Sequence, residues 1–464
     1  MSTQISIFDG ANKYVNDKPI RLIECFAGYG SQALALKYLG IPFEHHRIAE
    51  WAVKSIQAYK DMHFPNDNTD YSCGMSFDNV IDYLFERGIS ADYNKPMTRE
   101  QIKRMGESKC RTVYNNIKAT HNLVSVCNVT AKDLKITDTD NFTYLLTYSF
   151  PCQDLSQAGL SKGMEKGSGT RSGLLWEIER ILDECDELPQ ILLMENVPQV
   201  IGDKNRDSFR DWFCKLESLG YKSYYTIMNG KDYEIPQNRE RCFMVSILGD
   251  YYYEFPEIKP LKLILKDMLE DEVDEKYYLS DITIERIRNW NAQQDPLKNI
   301  DKEKLVSPCS NARGAGEEHS GMILIKCEQV AEIQGSGYNE MTSRVYGSNG
   351  LSPTVRTFCG GGQEIKIAEP KVFDYYNKRE INNKVCGNST TNQSIGSCGV
   401  FAVQETTNSG IRKLTERECF RLMGVKDDDF ERVARNQSQT SLYHLAGDSI
   451  ITNCLMAIFK ELFM

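Results

Sequence analysis

The stretch IRLIECFAGYGSQALALKYLG, residues 20–40, determines the expected fold. Its first half is an apolar strand that runs into a glycine-containing turn, and its second half has the spacing of an amphipathic helix closed by Gly40. The segment FEHHRIAE (43–50) follows as a second strand that ends at Glu50. A strand, a helix and a strand in this order form the unit from which parallel sheets are built. The opening therefore predicts an α/β fold.

Strand-like and helix-like runs continue to alternate beyond this opening, which predicts that the parallel sheet continues. Strands are expected at 144–150, 191–195, 222–228 and 241–247, and helices at 173–185 and 207–220. The polar segment 66–126 departs from this rhythm, although 98–110 has helical spacing. We therefore interpret 66–126 as an insertion.

The character of the chain changes after about residue 249. Residues 305–410 are rich in Gly, Ser, Thr and Asn, with β-like pieces at 321–327 and 363–370, and helical spacing returns from Lys413 onward. This pattern predicts a smaller domain, rich in strands and loops, inserted before the C-terminal helices. The predicted organisation is an N-terminal extension (1–19), a main domain (20–249), the inserted domain (250–410) and a C-terminal return to the main domain (411–464).

Composition limits the possible classes of protein. The 464 residues have ordinary hydrophobic (41%) and charged (26%) fractions, and 15 cysteines include no CxxC pair, which argues against a disulfide framework and a zinc ribbon. No apolar run approaches the roughly 20 residues that span a bilayer, and the N-terminus lacks a signal-peptide core. We expect a cytoplasmic protein that binds neither metal nor membrane. The net charge of −10 argues mildly against nucleic acid, although part of the acidity is concentrated at 266–281.

The turn FAGYGSQ (26–32) has the features of a ligand-binding loop. Gly28 and Gly30 allow backbone to approach a ligand without a Cβ in the way, which fits a dinucleotide, S-adenosylmethionine or simply a tight turn. Glu50 ends the second strand, where a carboxylate can accept ribose hydroxyls or favour a helix N-terminus. Trp51 offers a flat face for adenine.

Three later clusters carry candidate catalytic residues. The segment TYSFPCQDLSQAG (147–159) presents Cys152 where a strand meets a loop, as a nucleophile or as a structural thiol. Glu195 ends the apolar strand ILLMENV (191–197), where partial desolvation raises the pKa of a carboxyl group that is not simply capping or paired. In IPQNRERCFMV (235–245), Gln237, Arg239 and Arg241 alternate and are expected on one strand face, to bind oxygens or to form surface salt bridges.

The order of these clusters, glycine turn, acid, Pro-Cys-Gln, Glu-Asn-Val and Gln-x-Arg-x-Arg, resembles that of the DNA (cytosine-5) methyltransferase family. The segments 412–425 and 444–459 resemble its C-terminal motifs, and LSPTVRTFCGGG (351–362) resembles the core of its target recognition domain. The resemblance implies a Rossmann-like fold that uses S-adenosyl-L-methionine, with 250–410 reading the DNA. It also implies that a target cytosine is flipped out of the duplex. Cys152 is then the nucleophile, Glu195 acts at N3, and Arg239 and Arg241 hold the base.

The resemblance also assigns binding residues. The cofactor would contact Phe26, Gly28, Gly30, Glu50, Trp51, Asn128, Pro151, Leu174, Asp448 and Ser449. DNA or the flipped base would contact Gln153, Ser156, Asn196, Gln237, Arg344 and Arg356. The family normally has asparagine at the position of Asp448, and either Asn128 or Asp133 aligns with an acid that usually precedes the cysteine motif.

Several alternatives remain open from the sequence. An RNA (cytosine-5) methyltransferase has a related fold, and a nicotinamide-dependent oxidoreductase could use the same turn and acid but leaves Cys152, Glu195 and Arg241 unexplained. Amino-directed methyltransferases carry an Asp/Asn-Pro-Pro-aromatic tetrapeptide, which this sequence lacks. We expect a monomer that acts on double-stranded DNA, with or without a cognate restriction endonuclease.

Overall fold

The computed structural model describes residues 12–151, 155, 163–278, 329–332, 344–347, 351–355, 365–368, 371–374, 379–381, 401–404 and 411–464. Four predicted site residues lie outside this part of the chain, namely Cys152, Gln153, Ser156 and Arg356, as does the strand expected at 321–327. The backbone of Arg344 is described, but its side chain is not. The roles of these residues stay predictions.

The chain divides into two compact units, the first of which comprises Met1–Ile235, Arg239–Lys262 and Phe420–Met464. Its strands are β1 Asn12–Lys13, β2 Ile20–Cys25, β3 Phe43–Ala49, β4 Thr143–Tyr148, β5 Ile191–Asn196, β6 Tyr221–Asn229, β7 Glu240–Leu248 and β8 Tyr251–Tyr252. Its helices up to Ser218 are α1 Ser31–Leu39, α2 Val53–His63, α3 Phe77–Arg87, α4 Arg99–Arg104, α5 Glu107–Ala119, α6 Ala131–Leu134, α7 Leu175–Glu184 and α8 Arg206–Ser218.

A six-stranded sheet in the order β3-β2-β4-β5-β7-β6 is the centre of the first unit. β3, β2, β4 and β5 are parallel, and every residue of β4 and β5 is buried, as expected for strands covered on both faces. Helices α7 and α8 contribute Leu175, Ile178 and Trp212 to the apolar cluster on the sheet. The predicted α/β, Rossmann-like fold is confirmed.

The prediction that the sheet continues as parallel strands is wrong at β7, which is antiparallel to both β5 and β6. The link 230–239 between β6 and β7 contains only a short 3₁₀ turn, Gly230–Tyr233. A parallel neighbour would require a crossover of a dozen or more residues. The antiparallel pairing places Phe243 and Cys242 opposite Glu195 and Asn196.

The insertion 66–126 is a helical element with its own apolar cluster. The helix predicted at 98–110 is in fact two helices, α4 and α5, because the chain turns at Gly106 with a φ of 86°. Thr98 and Gln101 form a capping box that starts α4. The cluster includes Ile56 of α2, and Trp51 packs against it. The insertion is therefore built onto the chain segment that follows β3.

The second unit comprises Pro236–Asn238 and Leu263–Cys419. Its described strands are β9 Gln329–Glu332, β10 Arg344–Gly347, β11 Lys366–Ala368, β12 Lys371–Asp374, β13 Arg379–Ile381, β14 Phe401–Gln404 and β15 Ile411–Lys413. They form sheets in the orders β15-β11-β10-β9 and β13-β12-β14. Functions for the predicted domains 1–19, 20–249, 250–410 and 411–464 stay predictions.

The C-terminal helices are α9 Glu416–Arg421, α10 Asp427–Ala434, α11 Gln439–Asp448 and α12 Thr452–Phe463. Within the described ranges, one stretch, Gln439–Phe463, is long and apolar enough by composition to cross a membrane, but 72% of its most apolar window is buried inside the fold. Cys454, Leu455, Ile458 and Phe459 of α12 are all interior. Its apolar character is therefore explained by its place in the core.

A buried ion pair braces the second unit. Both side chains are fully buried, and the Arg412 guanidinium donates to the two Glu418 carboxylate oxygens at 2.8 Å each. The same carboxylate accepts hydrogen bonds from the backbone N–H groups of Thr415 and Glu270. All these donors would lose their acceptor together if Glu418 were removed.

We expect Glu418→Ala to lower the free energy of unfolding by about 3–5 kcal/mol, because it leaves a buried guanidinium without its counter-charge. Urea denaturation followed by circular dichroism measures the change. Asp203→Ala, which removes an exposed partner of Arg206, is the matched control and should leave the midpoint unchanged. Equal effects of the two variants would contradict the bracing role of Glu418.

Candidate active site

A cavity of about 360 Å³ opens in the first unit at the carboxyl ends of the parallel strands. Segments that are distant in sequence line it, among them the turn after β2, the start of the link after β3, the end of β4, the end of β5 and the C-terminal residues around Asp448. Ligands of open α/β sheets bind at this edge. Phe26, Gly28, Glu50, Trp51, Pro151, Leu174, Glu195, Asn196, Arg239, Arg241, Asp448 and Ser449, all predicted site residues, are among its lining.

The two glycines of the FAGYG turn differ in what a side chain at each position would contact. Both have positive φ, 56° at Gly28 and 84° at Gly30. A Cβ at Gly28 would meet no atom within 4 Å, so this glycine keeps the cavity floor open. A Cβ at Gly30 would collide with the side chains of His63 and Tyr59, and Gly30 does not line the cavity. Internal packing therefore accounts for Gly30, and the ligand contact predicted for it stays a prediction.

Glu50 is the buried acid of the cavity wall. Its carboxylate accepts hydrogen bonds from the backbone N–H of Gly28 at 2.9 Å and of Ala52 at 2.8 Å. Burial raises the pKa of Glu50 to about 7, and the nearby Asp448 carboxylate adds to this, while the backbone donors oppose it. The group therefore titrates near neutral pH and has capacity to accept further donors from a ligand.

Asn122 fixes the backbone of Glu50 and was not predicted as a site residue. Its Nδ2 donates to the Glu50 carbonyl at 2.9 Å, and its Oδ1 accepts from the N–H groups of Glu50 at 3.1 Å and Val124 at 2.8 Å. Asn122 is 4% exposed and belongs to the end of the insertion. A buried amide that serves three backbone groups holds the acid against the glycine turn.

Neither candidate for the acid before the cysteine motif reaches the cavity. Asn128 is exposed and its Nδ2 donates to the Glu86 carbonyl at 3.3 Å. Asp133 accepts from Thr130 in the cap of α6. Ser125, Val126 and Cys127 line the cavity at this place instead. Asn128 does not line the cavity in this structure, and its predicted cofactor contact stays a prediction.

Glu195 and Arg241 form an ion pair in the cavity wall, with Arg241 Nε 3.1 Å from Glu195 Oε1. Glu195 is 8% exposed, and burial raises its pKa, although the charges of Arg241 and Arg239 oppose the shift. Because β5 and β7 are neighbours in the sheet, the pairing of these strands brings acid and guanidinium together. The arrangement places a carboxyl group with a raised pKa beside a cation.

Arg239 is oriented differently from Arg241. Its guanidinium Nη2 donates to the carbonyls of Gly447 at 2.9 Å and Ser449 at 2.7 Å, and the residue is 3% exposed. It thereby ties the start of β7 to the C-terminal segment that lines the same cavity. These contacts support a positioning role for Arg239 in addition to the predicted catalytic one.

The chain immediately before Cys152 is held by two side chains. Asn196 Nδ2 donates to the Phe150 carbonyl at 2.9 Å, and its Oδ1 accepts from the Val197 N–H at 2.9 Å. Ser172, which the sequence did not single out, donates to the Pro151 carbonyl at 2.7 Å. The Asn196 amide thus bonds to its own protein through both its nitrogen and its oxygen, which supports a positioning role, and its predicted contact with DNA stays a prediction.

Gln237 does not share the strand face of the two arginines. It precedes β7, belongs to the second unit and is fully buried there, where it forms a parallel bridge with Ser352. Only Arg241 lies within β7, which begins at Glu240, whereas Arg239 and Arg241 both line the cavity and Gln237 does not. Within the described part of the chain, no group of three His, Cys, Asp or Glu side chains is arranged to hold a metal ion.

We expect Asn122→Ala to lower the free energy of unfolding by about 1–3 kcal/mol, because it leaves buried backbone groups around Glu50 without partners. Thermal or urea denaturation measures the change. Asn79→Ala, an exposed position on α3, is the matched control and should change stability by no more than about 0.5 kcal/mol. If Asn122→Ala left the free energy of unfolding unchanged, water would be replacing the three hydrogen bonds of the Asn122 amide.

The sequence of the chain matches a family model and several named methyltransferases. The family model of C-5 cytosine-specific DNA methylase matches residues 93–464. The type II methyltransferase M2.ScrFI of Lactococcus lactis subsp. cremoris is 30% identical over 446 residues, which cover 96% of this chain and 99% of the relative. The orphan methyltransferase M.SssI of Spiroplasma monobiae is 38% identical over 297 residues, covering 62% of this chain and 74% of the relative.

Solved structures agree on the fold. The Dnmt2 methyltransferase of S. pombe superposes with a TM-score of 0.52 at 15% identity, covering 95% of this chain and 97% of that one. The Entamoeba histolytica methyltransferase EhMeth gives a TM-score of 0.52 at 12% identity, covering 96% and 98%. The predicted enzyme class is confirmed by the family match, which also excludes the nicotinamide-dependent oxidoreductase. The chain belongs to the C-5 cytosine-specific DNA methylase family.

Proposed function

We propose that this DNA (cytosine-5) methyltransferase binds S-adenosyl-L-methionine and a flipped cytosine in the 360 Å³ cavity and transfers the methyl group with Cys152 as nucleophile. The observation that carries the proposal is that one cavity is lined both by Glu50 above an open glycine floor and by the Glu195–Arg241 pair. The first set suits a nucleoside with ribose hydroxyls, and the second suits a polar heterocycle. A transferase requires both in one place.

The residues present fit the cofactor. The cavity volume lies within the roughly 300–1,000 Å³ typical of small-molecule sites. Gly28 leaves the floor open, Glu50 offers acceptor oxygens for the ribose hydroxyls, and the half-buried Trp51 lines the wall with a flat ring suited to adenine. When bound, the cofactor supplies an electrophilic methyl group on a sulfonium. Ser449, which is 9% exposed, and Asp448 line the same cavity at its C-terminal side.

The chemistry of cytosine requires a nucleophile, because C5 of the aromatic ring is itself unreactive. Addition of the Cys152 thiolate to C6 forms a carbon–sulfur bond and makes C5 enamine-like, so that C5 can take the methyl group. Loss of the C5 proton to a base and expulsion of the thiolate then restore the ring. Asn196 and Ser172 support this role by holding the carbonyls of Phe150 and Pro151 just before Cys152.

Glu195 and Arg241 supply the polar partners of the base in this proposal. Addition at C6 displaces negative charge toward N3, where a protonated Glu195 stabilises it by hydrogen bonding or proton transfer. Arg241 can hold the base carbonyl while its ion pair keeps the Glu195 carboxyl oriented. Arg239 acts through the Gly447 and Ser449 carbonyls, so its contribution is to position the C-terminal wall.

Double-stranded DNA is the proposed partner. Because C5 and C6 of cytosine are inaccessible inside the stacked duplex, the target base must be flipped out. The family is named for DNA, which favours it over the RNA alternative. We assign reading of the target sequence to 250–410, with Arg344 and Arg356 as base-contacting candidates and Gln153 and Ser156 near the flipped base. The relatives include both type II and orphan methyltransferases, and we therefore make no proposal about a cognate restriction enzyme. The cytoplasmic, monomeric state stays a prediction.

We expect Cys152→Ser to abolish methyl transfer while retaining cofactor binding, because it removes only the thiolate. DNA that contains 5-fluorocytosine at the target should form a covalent adduct with the parent protein and none with the variant, as resolved by denaturing electrophoresis. Cys127→Ser, a change of a second cysteine at the cavity wall, is the matched control and should still form the adduct. Turnover by the Cys152→Ser variant would refute the assignment.

We expect cofactor affinity to rise with pH up to about 7 and then to level off. Hydroxyl donors and a cationic ligand favour the ionised Glu50, whose pKa in the free protein is about 7, so binding below pH 7 releases a proton. Calorimetry between pH 5.5 and 8.5, in buffers of different ionisation enthalpy, measures both the affinity and the proton count.

Glu50→Gln should flatten this pH profile and weaken binding by about 1.5–3 kcal/mol, through loss of a charge-assisted contact. Glu24→Gln is the control, because burial also raises the pKa of Glu24 to about 7, yet Glu24 does not line the cavity. If Glu24→Gln flattened the pH profile and Glu50→Gln did not, the titrating group would be Glu24 and the prediction would be wrong.

A further inference from the structure

The insertion 66–126 reaches the cavity through a short loop that follows α3. Ser90 forms a parallel bridge with Ala52, its N–H donates to the Trp51 carbonyl at 2.8 Å, and its carbonyl accepts from the Val53 N–H at 2.9 Å. This loop is therefore hydrogen-bonded to the backbone just beyond Glu50. It places Tyr93 and Asn94 in the cavity lining.

Tyr93 adopts a backbone conformation that is unfavourable for its residue type. Its φ is 61°, in the left-handed region that glycine and asparagine adopt far more readily than tyrosine. Asp92 stabilises the turn by accepting from the N–H of Asn94 at 2.9 Å and of Lys95 at 3.3 Å. A bulky aromatic residue at such a position indicates that its side chain is required there.

The Tyr93 side chain connects the insertion to the C-terminal segment. Its ring stacks on His444, with centroids 4.3 Å apart and an interplanar angle of 17°. The Tyr93 hydroxyl is 3.1 Å from the Ser55 hydroxyl, and Ser55 also lines the cavity. His444 Nδ1 in turn lies 3.0 Å from the Asp448 carboxylate, one helical turn away on α11.

Asp448 is the exposed member of this chain of contacts. Its side chain is 44% exposed and lines the cavity, whereas His444 is 18% exposed. Of the three carboxylates in the cavity lining, Glu195 is paired with Arg241, which leaves Glu50 and Asp448, on separate elements, to meet a ligand. A ligand with one end rich in hydroxyls and the other end carrying an ammonium group satisfies both, and the amino-acid end of the proposed cofactor has that ammonium group.

We propose that the Ser90–Asn94 loop of the insertion is a wall of the cofactor pocket, and that Tyr93 is a positioning residue that fixes His444 and thereby holds the Asp448 carboxylate for the ammonium group of the cofactor. The inference rests on the proposed function. Arg171 donates a hydrogen bond to the Asn94 side chain, and both residues line the cavity. This contact connects the loop to the residues just before Ser172.

The test compares two ligands that differ only at the amino-acid end. S-adenosylhomocysteine carries the ammonium and carboxylate groups, and 5′-methylthioadenosine lacks them. Tyr93→Gly removes the ring and relieves the left-handed strain, so the melting temperature of the free protein should change by less than about 3 °C. Its dissociation constant for S-adenosylhomocysteine should rise about tenfold, and that for methylthioadenosine should stay within about twofold of the parent value.

Three further variants make the result specific. Tyr93→Phe keeps the stacked ring and should bind S-adenosylhomocysteine within about threefold of the parent. Asp448→Ala should weaken that ligand as Tyr93→Gly does, and the double variant should be little weaker than either single one, because both act on the same contact. Phe85→Ala, at an exposed position of the insertion, is the control that should match the parent.

Each other outcome overturns a defined part of the proposals. Equal weakening of both ligands by Tyr93→Gly would overturn the positioning role, and unchanged binding of both would overturn the pocket wall. Additive effects of Tyr93→Gly and Asp448→Ala would show that Tyr93 does not act through Asp448. A parent protein that binds neither S-adenosylhomocysteine nor S-adenosylmethionine would instead refute the proposed function.

Discussion

The burial of the Glu50 carboxylate is the constraint on which the rest of the site depends. A carboxylate removed from water is stable only where donors compensate for the lost solvation. Here the donors are backbone N–H groups of the glycine turn and of Ala52, and Asn122 fixes the backbone of the acid itself. The end of β2, the end of β3 and the insertion must therefore meet at one point. Movement of the glycine turn or of Ala52 would remove a donor from the buried carboxylate, and movement of the insertion would remove Asn122 from the Glu50 backbone.

Glu50 and Glu195, two of the three acids in the cavity lining, differ because their neighbours differ. Burial raises the pKa of both, but Glu195 has Arg241 3.1 Å away, whereas the bonded donors of Glu50 are neutral backbone groups. A carboxyl group held by neutral donors is suited to receive the hydroxyls or positive charge of a ligand. A carboxyl group beside a fixed guanidinium is suited to exchange a proton without moving. The antiparallel β7 is what creates this difference, because it brings Arg241 to the end of β5.

Sequence reasoning identified the first unit well and missed specific tertiary contacts. The strands and the glycine turn followed from local patterns, and so did Glu50 and Glu195, because an acid at the end of an apolar strand is visible in the sequence alone. The direction of β7 was missed, since it depends on a short link and not on periodicity. Gly30 and Asn128 match a motif by position, yet in the structure Gly30 lies against His63 and Tyr59, and Asn128 donates to the Glu86 carbonyl. Asn122 and Ser172 gave no signal, because a buried polar residue is recognised only by its partners.

The insertion shows how a segment without a recognisable motif can become part of a site. Its helices have their own apolar cluster, which includes Ile56 and packs against Trp51, so the insertion is anchored beside the cavity before any polar contact is considered. Once it is anchored, two of its loops contribute polar groups in different ways. Asn122 stabilises the backbone of Glu50. Tyr93 has an unfavourable positive φ, and its ring stacks on His444. Strain of that kind persists only where the surrounding contacts over-determine the conformation. The bridge at Ser90, the Asp92 turn and the stacked ring together meet that condition.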